Sequence, residues 1–89
     1  MRRRVVITGL GLVTPVGNTV DEAWGNIVAG KSGIRPIDVF DASDFASRIG
    51  GNIRDFDLKA YISPKDARKM DPFIHYGIAA SIQAMNDAG

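Results

Sequence analysis

The chain has 89 residues, 45% of them apolar, and a net charge of +1. Those figures suit one small domain at most and exclude a protein held to nucleic acid or an anionic membrane by bulk charge. It holds no cysteine, so these residues supply no disulfide, thiol nucleophile or cysteine-based metal site. No apolar run approaches the length of a membrane span, and Arg2-Arg3-Arg4 meets a run broken by Thr8 and Gly9 rather than a signal-peptide core. A cytoplasmic protein is expected, with the arginines as solvated charges flanking a strand.

The first element is Val5-Val6-Ile7, a β-branched run without polar alternation, which predicts a strand buried on both faces. It ends in Thr-Gly-Leu-Gly, and the spacing of Gly9 and Gly11 raises the question of a dinucleotide fingerprint. The third glycine of that pattern is replaced by Thr14, and Pro15 pushes Thr14 out of the helical region. No helix N-terminus faces the turn, so the pyrophosphate site is missing. Gly9, Gly11 and Gly17 are therefore assigned to backbone geometry.

Thr19 and Glu22 have the spacing of a capping box, and Asp21 and Glu22 suit the positive end of a helix dipole. Ala23, Trp24, Ile27 and Val28 recur at helical spacing, with Gly30 as the stop and Trp24 as the expected packing anchor. From Lys31 to Ile62 turn residues dominate. The reading there is an ordered connection with one short strand around Ser47 to Ile53, tacked down by Phe40, Phe45, Ile49 and Phe56. Asp38, Asp41 and Asp44 lack the central glycine and terminal glutamate of a calcium loop and are read as turn formers.

Ser63-Pro64 starts a helix of one or two turns, and Asp71-Pro72 repeats the cap-and-proline signal for a longer one from Pro72 to about Ala88. In that helix Ile74, Ile78, Ile82 and Met85 form one stripe, and Gly77, Ala80, Ala84 and Ala88 form a second of small residues. A helix apolar over most of its circumference is normally surrounded by protein, and small residues admit another backbone closely. With one strand and one amphipathic helix besides, the segment is expected to be the N-terminal piece of a larger α/β protein. No internal domain boundary is expected in residues 1–89.

Lys65, Arg68 and Lys69 stand at i, i+3 and i+4, so one helical turn places three cations on one face, a surface that would steer an acidic or phosphate-bearing partner. Asp66 dilutes the group from a different side. His75, the single histidine, has Asp71 as its one acidic neighbour at helical spacing, and Asp71 is better placed to cap. His75, Tyr61 and Tyr76 are read as structural residues.

The segments "RRRVVITGLGLVTPVGN", "WGNIVAGKSGIRPIDVFDAS" and "SPKDARKMDPFIHYGIAASIQAMNDAG" together resemble the N-terminus of the β-ketoacyl-acyl-carrier-protein synthases, over the whole chain and in order. "VVITGLG-x-VTPVGN" marks the condensing enzymes, and "RKMDPFIHYG" points toward the type II elongating group. The resemblance implies the N-terminal part of a thiolase-like fold, five layers α/β/α/β/α in the complete enzyme. It implies a homodimer without cofactor or metal, acting on acyl and malonyl groups carried by acyl carrier protein in fatty-acid synthesis. The family's reaction is decarboxylative Claisen condensation, through a cysteine nucleophile and two histidines that match no residue of this chain. In such enzymes a basic patch placed like Lys65, Arg68 and Lys69 helps dock the acidic carrier protein. A second reading is a non-catalytic partner of the chain-length-factor kind or a truncated carrier-binding piece. A nucleotide-binding module, the third, is opposed by Thr14-Pro15.

Overall fold

A computed structural model describes residues 2–89. In chain order the elements are α1 (Val20–Val28), β1 (Ile34–Pro36), β2 (Ile49–Gly51), a 3-10 turn (Leu58–Ala60), α2 (Pro64–Ala67) and α3 (Pro72–Ala88). They form two compact units, one of residues 2–12 and 57–89 and the other Val13–Phe56.

The first unit is organised by α3. Pro72 opens it at the first helical position, where its missing N–H costs nothing. Asp71 is the N-cap residue, but its side chain makes no capping bond, contrary to expectation; its carbonyl oxygen instead accepts the amides of Ile74 and His75. The stripe of small residues carries a backbone, as its composition predicts. A Cβ on Gly9 would overlap the carbonyl oxygen of Ala84, and one on Gly11 that of Ala80. The glycines thus let an extended chain lie directly on the helix. After each glycine the next amide bonds to α3: that of Leu10 donates to Asp87 Oδ2 at 2.9 Å, and that of Leu12 to Gln83 Oε1 at 3.2 Å. Alternate amides of an extended chain point the same way, and residues four apart share a helix face, so the two periods match.

The predicted strand at Val5-Val6-Ile7 is not formed. A strand needs a partner ladder, and the paired strands among the described residues, β1 and β2, bond to each other. Val5 is 92% exposed and Ile7 81%. Among the described residues of this unit the buried side chains are Ile62, Ala67 and Ala79, so its core is one large group and two small ones.

The second unit is built on the turn after Leu12. Thr14 and Gly17 exchange backbone bonds of 2.8 and 3.1 Å around Pro15 and Val16, and Thr14 Oγ1 donates to the Gly17 carbonyl. Thr19 Oγ1 then caps α1 by accepting the Glu22 amide at 3.2 Å. At the other end Gly30, at φ 75°, and Lys31 donate to the carbonyls of Ile27 and Asn26, the paired bonds of a Schellman stop. The anchor of α1 is Ala23, 1% exposed, and not Trp24, 64% exposed. A Cβ on Gly17 would fall 2.5 Å from the Ala23 nitrogen, so only a small side chain fits this face, and the indole points about 100° around the helix.

β2 lies inside the predicted span, whereas β1 is an additional strand. The pair is antiparallel, with Ile34 opposite Gly51 and Pro36 opposite Ile49. Pro36 is tolerated because a two-stranded pair has only edges. Pro15 packs against Gly33 and Gly51, and side chains tie the loops: Asn26 Nδ2 donates to Val16 O, Asn18 Nδ2 to Arg54 O, and Arg54 Nη1 to Gly33 O. Phe40 and Phe45 do not fix the connection as expected. They meet edge to face at 5.9 Å and stay more than half exposed, while Ala42 between them is buried. Ile49 is exposed too, and Phe56 is half-buried.

Two outcomes follow. In the full-length protein Gly11→Ala should be destabilising by about 1–3 kcal/mol through overlap with α3, whereas Gly25→Ala, with open space at the added Cβ, should stabilise α1 by roughly 0.5–1 kcal/mol. Urea unfolding of the two full-length variants gives the order; a neutral Gly11→Ala would refute the close approach. Exposed Phe73 and Met85 beside half-buried Ile74, Ile78 and Ile82 should make the isolated chain bind a hydrophobic dye and self-associate. A monomer that excludes dye and unfolds cooperatively would contradict this.

Candidate functional site

α2 is one turn long. Ser63 Oγ accepts the Asp66 amide at 3.3 Å, Pro64 fills the first helical position, and the Ala67 side chain is buried. Lys65 lies within α2, but the helix ends at Ala67, earlier than the spacing of the three cations assumes. Arg68 is the C-cap and still helical in its dihedrals, with its amide bonded to Pro64 O at 3.3 Å. Lys69 follows in a tighter turn, its amide donating to Asp66 O at 3.1 Å. Lys65, Arg68 and Lys69 are all exposed, the first within the helix and the other two at its end and in the turn after it. Asp66 is exposed beside it, one position along from Lys65.

The back of this turn is held by a contact that the sequence did not reveal. His75 Nε2 lies 2.9 Å from the Ala67 carbonyl oxygen. A carbonyl only accepts, so Nε2 carries the proton. The structural reading of His75 is thereby given a specific form. Tyr61 likewise works through its polar tip, its hydroxyl accepting from Gln83 Nε2 at 3.1 Å.

Among the aspartates, Asp41 Oδ1 accepts the Ser43 amide at 3.0 Å in a local turn, and this backbone bond, with a second from the Ser43 hydroxyl, lowers the Asp41 pKa. Asp38 Oδ1 accepts from Asn52 Nδ2 at 3.5 Å. Asp44 takes no part in either contact.

Two hollows are lined by described residues. A groove along α3 is lined by Phe73, Ile78, Ile82 and Met85, with Ser81 and Asn86 as its polar edge. Its lining holds no titratable group. A polar hollow of about 100 Å³ beside the Thr14–Gly17 turn is lined by Glu22 and Asp55 against Arg35 and Arg54. The opposed charges cancel there, and the hollow selects neither sign. The glycines of the opening motif pack on α3 and, for Gly17, on α1, and the helix that follows starts only at Val20. No helix N-terminus follows directly on Gly9 and Gly11 among the described residues.

The chain is 56% identical over 88 residues to a 3-oxoacyl-[acyl-carrier-protein] synthase 2 of Vibrio harveyi, covering 99% of this chain and 21% of that protein. Against a chloroplastic 3-oxoacyl-[acyl-carrier-protein] synthase I of Hordeum vulgare the identity is 46% over 88 residues, covering 99% of this chain and 19% of the relative. Its backbone matches a solved structure titled "The ishigamide ketosynthase/chain length factor" with a TM-score of 0.83 and 35% identity, over all of this chain and 22% of that one. The fold is therefore that of a ketosynthase, a thiolase-like α/β architecture, and the chain spans about a fifth of the length of these relatives. The family described as "Beta-ketoacyl synthase, N-terminal domain" matches residues 2–89, and the chain belongs to it.

Proposed function

We propose that these residues are the N-terminal segment of a 3-oxoacyl-acyl-carrier-protein synthase that elongates acyl chains in fatty-acid synthesis. In the reaction, an enzyme thiolate takes the acyl group from its carrier. Malonyl-carrier protein then loses carbon dioxide, and the resulting carbanion attacks the acyl thioester, expelling the thiolate and leaving a 3-oxoacyl-carrier protein. Such chemistry needs a thiolate nucleophile and preorganised donors for the developing oxyanions. The thiolate is not among these 89 residues, which hold no cysteine. The work of this segment is to build part of the core and to dock acyl carrier protein. The whole protein acts as a cytoplasmic homodimer, and its 89-residue piece is inactive alone.

The observation that carries the docking role is the exposed surface of Lys65, Arg68 and Lys69, displayed on one short turn with its inner face buried. An acidic recognition helix would meet three cations there, and attraction of this kind raises the rate and specificity of encounter. A chain-length-factor-like partner, the second reading, would share the docking surface and lack the nucleophile. The Vibrio harveyi relative, at 56% identity, is named synthase 2, which favours the enzyme.

Charge reversal in the full-length protein tests the role. Lys65→Glu, Arg68→Glu and Lys69→Glu together should raise the Kd for acyl carrier protein about 10- to 100-fold at low salt, with the gap narrowing as salt screens the surface. Circular dichroism should show the fold intact. Unchanged affinity would remove these residues from the interface.

A further inference from the structure

We propose that His75 is the positioning residue of the basic turn: by donating its Nε2–H to the Ala67 carbonyl oxygen it fixes how Lys65, Arg68 and Lys69 are presented to an acidic protein partner. This rests on the docking role proposed above and adds a residue to it.

A helix of four residues does not hold itself in water, because fixing the first turn costs more than its bonds return. The cluster therefore depends on what grips α2 from outside. Ser63 holds its start. At its end the Ala67 carbonyl accepts from two directions, the Met70 amide at 3.2 Å and His75 Nε2 at 2.9 Å. Ala67 is the last residue of α2, and the next two residues are Arg68 and Lys69. The anchored atom is thus one residue from the first cation of the turn.

The anchor belongs to a longer helix. His75 is the fourth residue of the 17-residue α3, past the Asp71-Pro72 break, so the bond ties α2 to a second helix. Its ring is half-buried, and the Nε2–H is present whether or not Nδ1 is protonated. Without this donor the Met70 amide alone would hold the Ala67 carbonyl, and the turn carrying Arg68 and Lys69 would fray while α3 stayed intact.

The test uses the full-length protein, with Kd for acyl carrier protein and hydrogen exchange of peptides covering residues 63–70 as readouts. Glutamine places an amide N–H where histidine has Nε2; leucine and asparagine do not. His75→Leu should weaken binding about 2- to 10-fold, the loss of one hydrogen bond, and speed exchange in 63–70. His75→Gln should restore both. If His75→Leu does not fold, His75→Asn, whose shorter amide falls short of Ala67, takes its place with the same expectation. Parent-like binding by the donor-less variant, alongside weakened binding by the triple charge reversal, would overturn the positioning role and leave docking standing. Failure of glutamine to rescue would also overturn it. Unchanged binding by the triple reversal would dismiss docking, and this inference with it.

Discussion

The first unit depends on a contact of backbone against backbone, the extended chain at Gly9–Leu12 on the small-residue face of α3. Two glycines and three alanines remove every Cβ clash, and the Leu10 and Leu12 amides then reach Asp87 and Gln83. The side chains of α3 thus supply the acceptors that a neighbouring strand would supply in a sheet, for the exposed Leu10 amide and the part-buried Leu12 amide alike. The same helix carries His75, which grips α2, and Gln83 also donates to Tyr61. Through α3 the opening motif and the basic turn share one scaffold.

The second unit uses the same device on a smaller scale. Gly17 sits close on Ala23, Pro15 packs against Gly33 and Gly51, and Asn18, Asn26 and Arg54 satisfy loop carbonyls. Aromatic mass contributes little: Trp24, Phe40 and Phe45 are largely exposed. Close approach between small residues recurs in both units, with Ile62 the one large buried side chain among the described residues.

Much of this was legible in the residues. Thr19, Gly30, Ser63 and Pro72 mark helix ends because caps and prolines act through bonds between near neighbours, and all four act as read. The paired stripes of α3 announced a backbone partner. Failures fell where the outcome depends on distant chain. Val5-Val6-Ile7 has strand composition but no strand to pair with among the described residues, and Ile34–Pro36 lacks strand composition yet pairs. Trp24 has the hydrophobicity of an anchor, but the face of α1 that meets Gly17 has room only for Ala23. In the site, the basic triad was visible from spacing. The early end of α2 and the His75 bond were not, since eight residues and a helix break separate His75 from Ala67. Family membership came from motif order along the chain, with which the match over residues 2–89 agrees.

Zero-length cross-linking tests the docking surface most directly. A carbodiimide joins a lysine amine to a carboxylate only when the two are in contact. Treatment of the full-length protein with acyl carrier protein, followed by peptide mapping, should yield amide links from Lys65 or Lys69 to acidic residues of the carrier. Links confined to lysines elsewhere, with Lys65 and Lys69 unmodified in the complex, would contradict the assignment.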